Sequence, residues 1–397
     1  MPRAVYILGL AIFAQGTSEL MLAGLLPEIA TDLGVSIPDA GLLISGFAVG
    51  MLVGAPVLAV ATLRLPRRTT LLALLAVFAA THAIGALAPG YGLLMATRVV
   101  GAFAYAGFWA VAAVTAIGLV APTARGKAMA VVTGGLTVAT IIGLPAGTVI
   151  GQHFGWRTVF WALAALAVLA MAGIRATIPA GGADGPAPRL SQELRTMARP
   201  RLWLAYATTA LATGGLLATF AYLAPLLTGT SGLAPAYVPA VLALYGAGAL
   251  IGITIGGRSA DARPFATLAV SIAGAVLISA ALALWAQVPV AAVVLAALLG
   301  AFGFGANPAL NTRVFALAEG APTLAAAVNI SAFNVGITAG PWLGGLAIDA
   351  GAGYPSVSWV GAALALAALG VVAWSAALNR ARATTPAGAC APAAPAA

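Results

Sequence analysis

Residues 5–26 read VYILGLAIFAQGTSELMLAGLL, twenty-two residues whose polar side chains are gathered in the short patch 15–19. A helix needs about 20 residues to cross the hydrocarbon core of a bilayer, and this run is long enough. A cleavable leader would have a shorter apolar core and a small-residue cleavage site, so the run is read as a retained span. Eleven further runs of similar length follow, at 40–63, 69–87, 93–120, 128–150, 158–178, 202–227, 238–256, 265–285, 288–310, 324–348 and 357–378. They are continuous, whereas the strands of a transmembrane barrel alternate over about ten residues. In a continuous run every peptide group can bond within its own helix. The expected fold class is an all-α polytopic membrane protein with twelve transmembrane helices.

Composition points the same way. Of 397 residues, 62% are hydrophobic and 7% are charged, against roughly 45–50% and 25% in soluble globular chains. The 48 glycines and 24 prolines have no collagen period and suit membrane helices. One cysteine, Cys390, excludes an internal disulfide, and two histidines without HExxH or CxxC spacing leave no metal site to expect.

Basic residues beside spans stay on the cytoplasmic side. With the N-terminus inside, sixteen of the eighteen basic residues fall in cytoplasmic segments, leaving Arg157 outside and Arg98 within a span. Both termini are expected in the cytoplasm. The net charge of +9 is spread as thin girdles without a compact basic face, which fits topology and anionic lipid and gives no reason to expect a nucleic-acid partner.

The longest polar interval, 179–201, holds GGADGPAP followed by SQELRTMARPR and divides six spans from six. It is expected to be a flexible cytoplasmic loop with a short surface helix between bundles at 1–178 and 202–378. The small-residue, Pro-rich end of 379–397 is expected to be disordered. Three landmark pairs relate the halves at almost one offset: Pro27 with Pro225, Arg67 with Arg263, and Pro145 with Pro341. Six-plus-six duplication of this kind belongs to secondary transporters whose halves rock about a central site.

The motifs FAQGTSELMLAGLLPEIATDLGVS in the first span, RVVGAFAYAGFWAV in the fourth, GLPAGTVIGQHFGWRTVFW around the fifth and sixth, and GGRSADARP after the eighth carry a resemblance over residues 6–378. The chain resembles the major facilitator superfamily, in its twelve-span drug:proton antiporter class, and within it the actinomycete chloramphenicol-resistance exporters and the arabinose-efflux-like permeases. The resemblance implies the major facilitator fold, two pseudo-symmetric six-helix bundles, and export of a small amphiphilic drug against protons. Sugars or another metabolite are the alternative cargo, and a non-transporting membrane sensor is the remote one. No nucleophile and base constellation points to an enzyme, and no Walker A sequence GxxxxGK[ST] is present for ATP drive. No cofactor is expected beyond the proton gradient. The expected partners are a small-molecule substrate, protons and the lipid bilayer, and the expected state is a monomer.

Glu19 and Arg98 are the acidic and basic residues set deep in spans, and an intramembrane charge is a functional hypothesis by default. Counted at 1.5 Å per residue, Glu19 lies roughly 10 Å and Arg98 roughly 8 Å below the outer ends of their spans, so they share a level. In the family the two helices line one cavity, which implies that Glu19 exchanges protons under the control of Arg98. Arg98 also matches the LxxxR portion of the fourth-span motif, whose following Gln-Gly is here Gly101-Ala102.

The substrate-binding candidates come from the uncharged lining. Tyr105 and Trp109 share a stripe with Arg98, Gln15 shares a face with Glu19, and Tyr222, Asn329 and Asn334 come from the second half. Such a set suits a largely neutral amphiphile. Gating residues are Gly257, Asp261 and Arg263, which match the superfamily's gate motif, and Arg64, Arg67 and Arg68 in the degraded N-terminal copy, where Leu63 and Pro66 replace Asp and Gly. The antiporter motif is degraded at Gly143, Pro145 and Gly147 and complete at Gly340, Pro341 and Gly344. Its glycines permit close packing and its prolines permit bends.

Overall fold

Apolar runs in lipid have no solvent to satisfy their peptide groups, and the protein answers with helix throughout. The structure, a computed structural model, describes residues 1–62, 65–121, 124–179, 199–260, 262–318 and 322–383, and no strand occurs among them. The N-terminal half comprises α1 (Arg3–Leu20), α2 (Leu22–Leu33), α3 (Ile37–Ala61), α4 (Arg67–Ala86), α5 (Tyr91–Gly118), α6 (Arg125–Val138), a π turn (Ala139–Gly143), α7 (Leu144–Phe154) and α8 (Trp156–Thr177). The C-terminal half comprises α9 (Pro200–Ala221), α10 (Leu223–Gly229), α11 (Val238–Ala260), α12 (Pro264–Trp285), α13 (Pro289–Gly305), α14 (Asn307–Leu317), α15 (Pro322–Ala347) and α16 (Pro355–Ala383).

Ten of these helices or collinear pairs are long and apolar enough to cross a membrane, and α1 with α2 makes an eleventh span bent by 52°. The twelfth is α15, 26 residues long, whose Asn329 and Asn334 dilute an otherwise apolar sequence. The halves repeat one packing plan. In the first, the α1 span lies against the α6 span and α8, α3 lies on α5, and α4 lies on α5 and α8; in the second, α9 lies against α15 and α16, α11 on α13, and α12 on α13 and α16.

Small residues set this plan at the backbone. Gly50 and Gly54 of α3 abut the carbonyls of Val99 and Phe103, and Gly248 and Gly252 of α11 abut those of Ala297 and Ala301. A methyl group at any of the four would strike the facing carbonyl. All four residue pairs stand at the 198-residue offset of Pro27 and Pro225, so the duplication extends to helix contacts.

The halves meet along α3 with α15, and along α11 with α7 and the π turn. On the distal face, opposite Arg3 and α16's end, Gly345 approaches Pro38 and Tyr222 fills the space left by Gly41. Ser45 Oγ donates to Thr338 O at 2.9 Å and Gln152 Nε2 donates to Pro235 O at 3.1 Å, both across the halves. Arg64, Asp261, the 180–198 stretch and the chain beyond 383 lie outside the described residues, so most of the expected linker and disordered tail and one of the three named residues of each expected gate motif fall there.

The antiporter-motif prolines differ from the expectation of two equivalent bends. Pro145 follows the π turn at the start of α7, whereas Pro341 sits inside an unbroken α15. In both halves the glycines supply contact: Gly143 lies on Thr17 of α1, and Gly340 on the Gly214 carbonyl of α9.

Candidate functional site: a central cavity between the halves

Between the halves lies a cavity of about 330 Å³, within the roughly 300–1,000 Å³ of small-molecule sites. The first half lines it with Glu19, Leu20 and Ala23 around the α1–α2 bend, Ile44, Phe47 and Met51 of α3, Tyr105 and Trp109 of α5, and Leu136 and Thr140. The second half adds residues of α9, α13, α14 and α15, including Thr213, Phe220, Phe304, Asn307, Asn311, Phe333 and Asn334. Among the described residues, Glu19 is the one charged lining residue and every lining amide belongs to the second half, so the carboxyl and the amides come from opposite halves of an aromatic interior.

Four expected site residues meet in this wall: Glu19, Tyr105, Trp109 and Asn334. Tyr105 packs its ring 6.1 Å from that of Phe47 and edge-on to Trp109 at 6.4 Å, centroid to centroid. Its hydroxyl faces the Glu19 carboxyl. Asn334 donates from Nδ2 to Ile330 O at 2.9 Å, and its buried Oδ1 has no partner among the described residues.

Three others stand elsewhere. Gln15 is wholly buried, outside the cavity lining, with neither amide atom bonded among the described residues. Tyr222 is buried at the distal closure and donates to Pro341 O at 2.9 Å. Asn329 stands behind the wall, accepting from Thr209 Oγ1 at 3.1 Å and donating to Asn311 Oδ1 at 2.9 Å, so that it braces Asn311. Helical spacing predicts which residues share a face, but not which helix covers that face.

Arg98 also departs from expectation. It is 2% exposed, and among the described residues the ion pair in contact is Arg157 with Asp32, not Arg98 with Glu19. Arg98 instead donates from Nη1 to Ser18 Oγ at 2.7 Å and from Nη2 to Ser18 O at 2.9 Å. Its guanidinium carbon lies 4.2 Å from the centre of the Phe47 ring, a favourable placement for a cation on an aromatic face. Ser18 is in the last turn of α1, where carbonyls lack a next-turn partner. Glu19 follows it in sequence, yet one helical residue turns the side chain by about 100°, which sends Glu19 into the cavity.

Of the residues expected to gate, Arg67 opens α4 beside Gly118 at the end of α5, Arg68 follows it, Gly257 is in the last turn of α11, and Arg263 is exposed just before α12. Gly147 packs on Met21 at the α1–α2 bend, and Gly344 packs on the Tyr222 ring. No His, Cys, Asp and Glu cluster that could hold a metal occurs among the described residues.

Sequence reasoning passed over Asn307 and Asn311, although two amides one turn apart in an apolar run are a readable signal. It also passed over His82 and Ser18. A lone histidine inside a span is informative by its depth alone, without any metal-ligand spacing.

The sequence pattern of the Major Facilitator Superfamily matches residues 8–331. The chain is 44% identical over 374 residues to the chloramphenicol resistance protein of Streptomyces lividans, covering 93% of this chain and 95% of that one. It is 38% identical over 372 residues to the inner membrane transport protein YdhP of Escherichia coli K12, with 93% and 95% covered. Among solved structures, a bacterial homolog of the human lysosomal transporter Spinster, in an inward-facing and unoccupied conformation, superposes with a TM-score of 0.71 at 16% identity over 94% of this chain and 95% of that chain. At that identity the likeness speaks for the fold alone.

Proposed function

The chain belongs to the Major Facilitator Superfamily, a class of membrane transporters rather than enzymes, and on that premise we propose that it is a proton-driven exporter of small neutral amphiphiles, chloramphenicol-like amphenicols foremost. The observation that carries this reading is the carboxyl of Glu19, the one charged group among the described residues that line the cavity between the two halves. A group there can be reached by protons and substrate in turn as the halves rock. The aromatic interior, with amides concentrated on one side, suits a flat or branched apolar body carrying a few hydroxyl or amide groups. A sugar would leave most of its hydroxyls facing Phe and Leu side chains. The 44% identity to a chloramphenicol resistance protein supports the substrate class.

In this scheme Glu19 carries one proton inward for each substrate moved outward, no cofactor takes part, and a single copy of the chain suffices. Each charge moved is worth about 2.3 kcal/mol per 100 mV, so a potential of ~150 mV sustains roughly a 300-fold gradient of a neutral cargo. The distribution of basic residues supports an orientation with the arginine-bearing face and both termini in the cytoplasm, and the bacterial relatives support an inner-membrane location.

The test uses energised everted vesicles with labelled chloramphenicol beside a panel of dyes and sugars. Wild-type protein is expected to concentrate chloramphenicol until an uncoupler collapses the gradient, whereas Glu19→Gln binds the drug without concentrating it. Accumulation that survives the uncoupler would rule out proton drive. Transport of sugars in place of the amphenicol would replace the substrate class.

A further inference from the structure

Behind the cavity wall, three helices converge on Ser18. Arg98 of α5 donates to its hydroxyl and carbonyl oxygens. His82 of α4 lies with Nε2 2.7 Å from the same hydroxyl and Nδ1 2.8 Å from Phe78 O. His82 is 3% exposed, and its ring is held against Phe78 at 4.0 Å and Phe160 at 5.5 Å between centroids. Gly101 lets α4 come this close, because a methyl group there would lie 2.8 Å from Thr81 Oγ1.

The hydrogens in this chain follow from what each group can do. A carbonyl only accepts, so His82 Nδ1 carries a hydrogen towards Phe78 O. A guanidinium only donates, so Arg98 occupies a lone pair of Ser18 Oγ. The Ser18 hydroxyl hydrogen then turns to His82 Nε2, which in the neutral ring is the acceptor. A second ring proton would place two cations on one hydroxyl with no carboxylate in contact.

We propose that His82 is a positioning residue for transport: by fixing the Ser18 hydroxyl it holds Arg98 on Ser18 and Phe47, away from Glu19. The inference rests on Glu19 being the proton carrier. While the catch is engaged, the guanidinium leaves the carboxyl free to hold a proton. When it opens, the cation is released towards the carboxyl one residue along, and the proton is discharged. A neutral acceptor at the Nε2 position is what the catch requires, so glutamine is the conservative replacement and leucine the disabling one.

The test is infrared spectroscopy of the purified full chain in lipid at mildly acidic pH. The carboxylic-acid band of Glu19 is identified as the one lost in Glu19→Gln. His82→Leu and Ser18→Ala are expected to weaken that band, lowering the ratio of protonated to ionised Glu19 on the order of tenfold, the effect of an opposite charge moving against a carboxyl. His82→Gln and Ser18→Thr retain it. Thermal melts of all four variants separate this pattern from loss of the fold. A band absent from the wild type, unchanged in folded His82→Leu, or lost equally in His82→Gln overturns the catch. Uphill chloramphenicol transport in vesicles is measured beside it. If wild-type vesicles fail to concentrate the drug, the substrate assignment falls while the infrared result still decides the catch.

Discussion

At the scale of single residues, the legible part of the site was the part that costs most to bury. A charge at the centre of a span costs about 2.5–3.5 kcal/mol by insertion measurements, so Glu19 and Arg98 stand out in an apolar run without any structure. Tyr105 and Trp109 were legible from helical spacing. Their partners were not, because Ser18 and His82 acquire meaning only when α1, α4 and α5 are packed together. Asn334 shows what such an environment does to a readable residue. Its Nδ2 is engaged by Ile330 O, which fixes the amide orientation, and its Oδ1 is left buried and unbonded. An unsatisfied buried acceptor costs about 1–3 kcal/mol. Asn334→Leu, of the same branched outline and with the cavity beside it to take the added volume, is therefore expected to raise the melting temperature of the substrate-free protein while weakening amphenicol binding. Melting scans and equilibrium binding on one preparation check both signs, and a lowered melting temperature would mean that the carbonyl has a structural bond.

At the scale of helices, hydropathy located the spans well because the bilayer demands about 20 apolar residues of each. It could not locate the breaks within them. The bend at Met21 and the π turn at Ala139–Gly143 depend on which carbonyls find partners, and the two copies of the antiporter motif resolve that competition differently. What the copies share is close approach. Gly336 and Gly340 lie on the backbone of α9 at Ala210, Gly214 and Ala218, where a side chain has no room. Gly340→Val should push α15 from α9 and cost about 1–3 kcal/mol, the usual penalty of overpacking. Gly134 of α6 has open space where a methyl would go, so Gly134→Ala should leave stability unchanged or raise it. Thermal melts of the two variants distinguish contact from mere glycine content: equal losses would refute the packing account.

For the whole molecule, the six-plus-six plan could be read from three residue pairs at one offset, and the packing repeats it down to individual glycine contacts. Which surfaces of the two halves meet was not legible, since α3 and α15 carry no charge pattern that selects each other. Their meeting closes the distal face, and that closure must open if the cavity is served alternately from both sides. A covalent tie across it should therefore arrest the cycle. A Cβ at Gly345 would lie 3.4 Å from Pro38 Cβ, with the Tyr222 hydroxyl 2.8 Å away. Disulfides need Cβ atoms about 3.5–4.5 Å apart, so Pro38→Cys with Gly345→Cys requires only that the Tyr222 ring yield slightly. With Cys390→Ser removing the native thiol, oxidation should join the pair and abolish uphill transport, and a reductant should restore it. Either single cysteine should remain active under the same oxidant. Bonded protein that still pumps at the wild-type rate would show that this closure does not open in turnover, and the rocking of the halves about the Glu19 cavity would have to be abandoned.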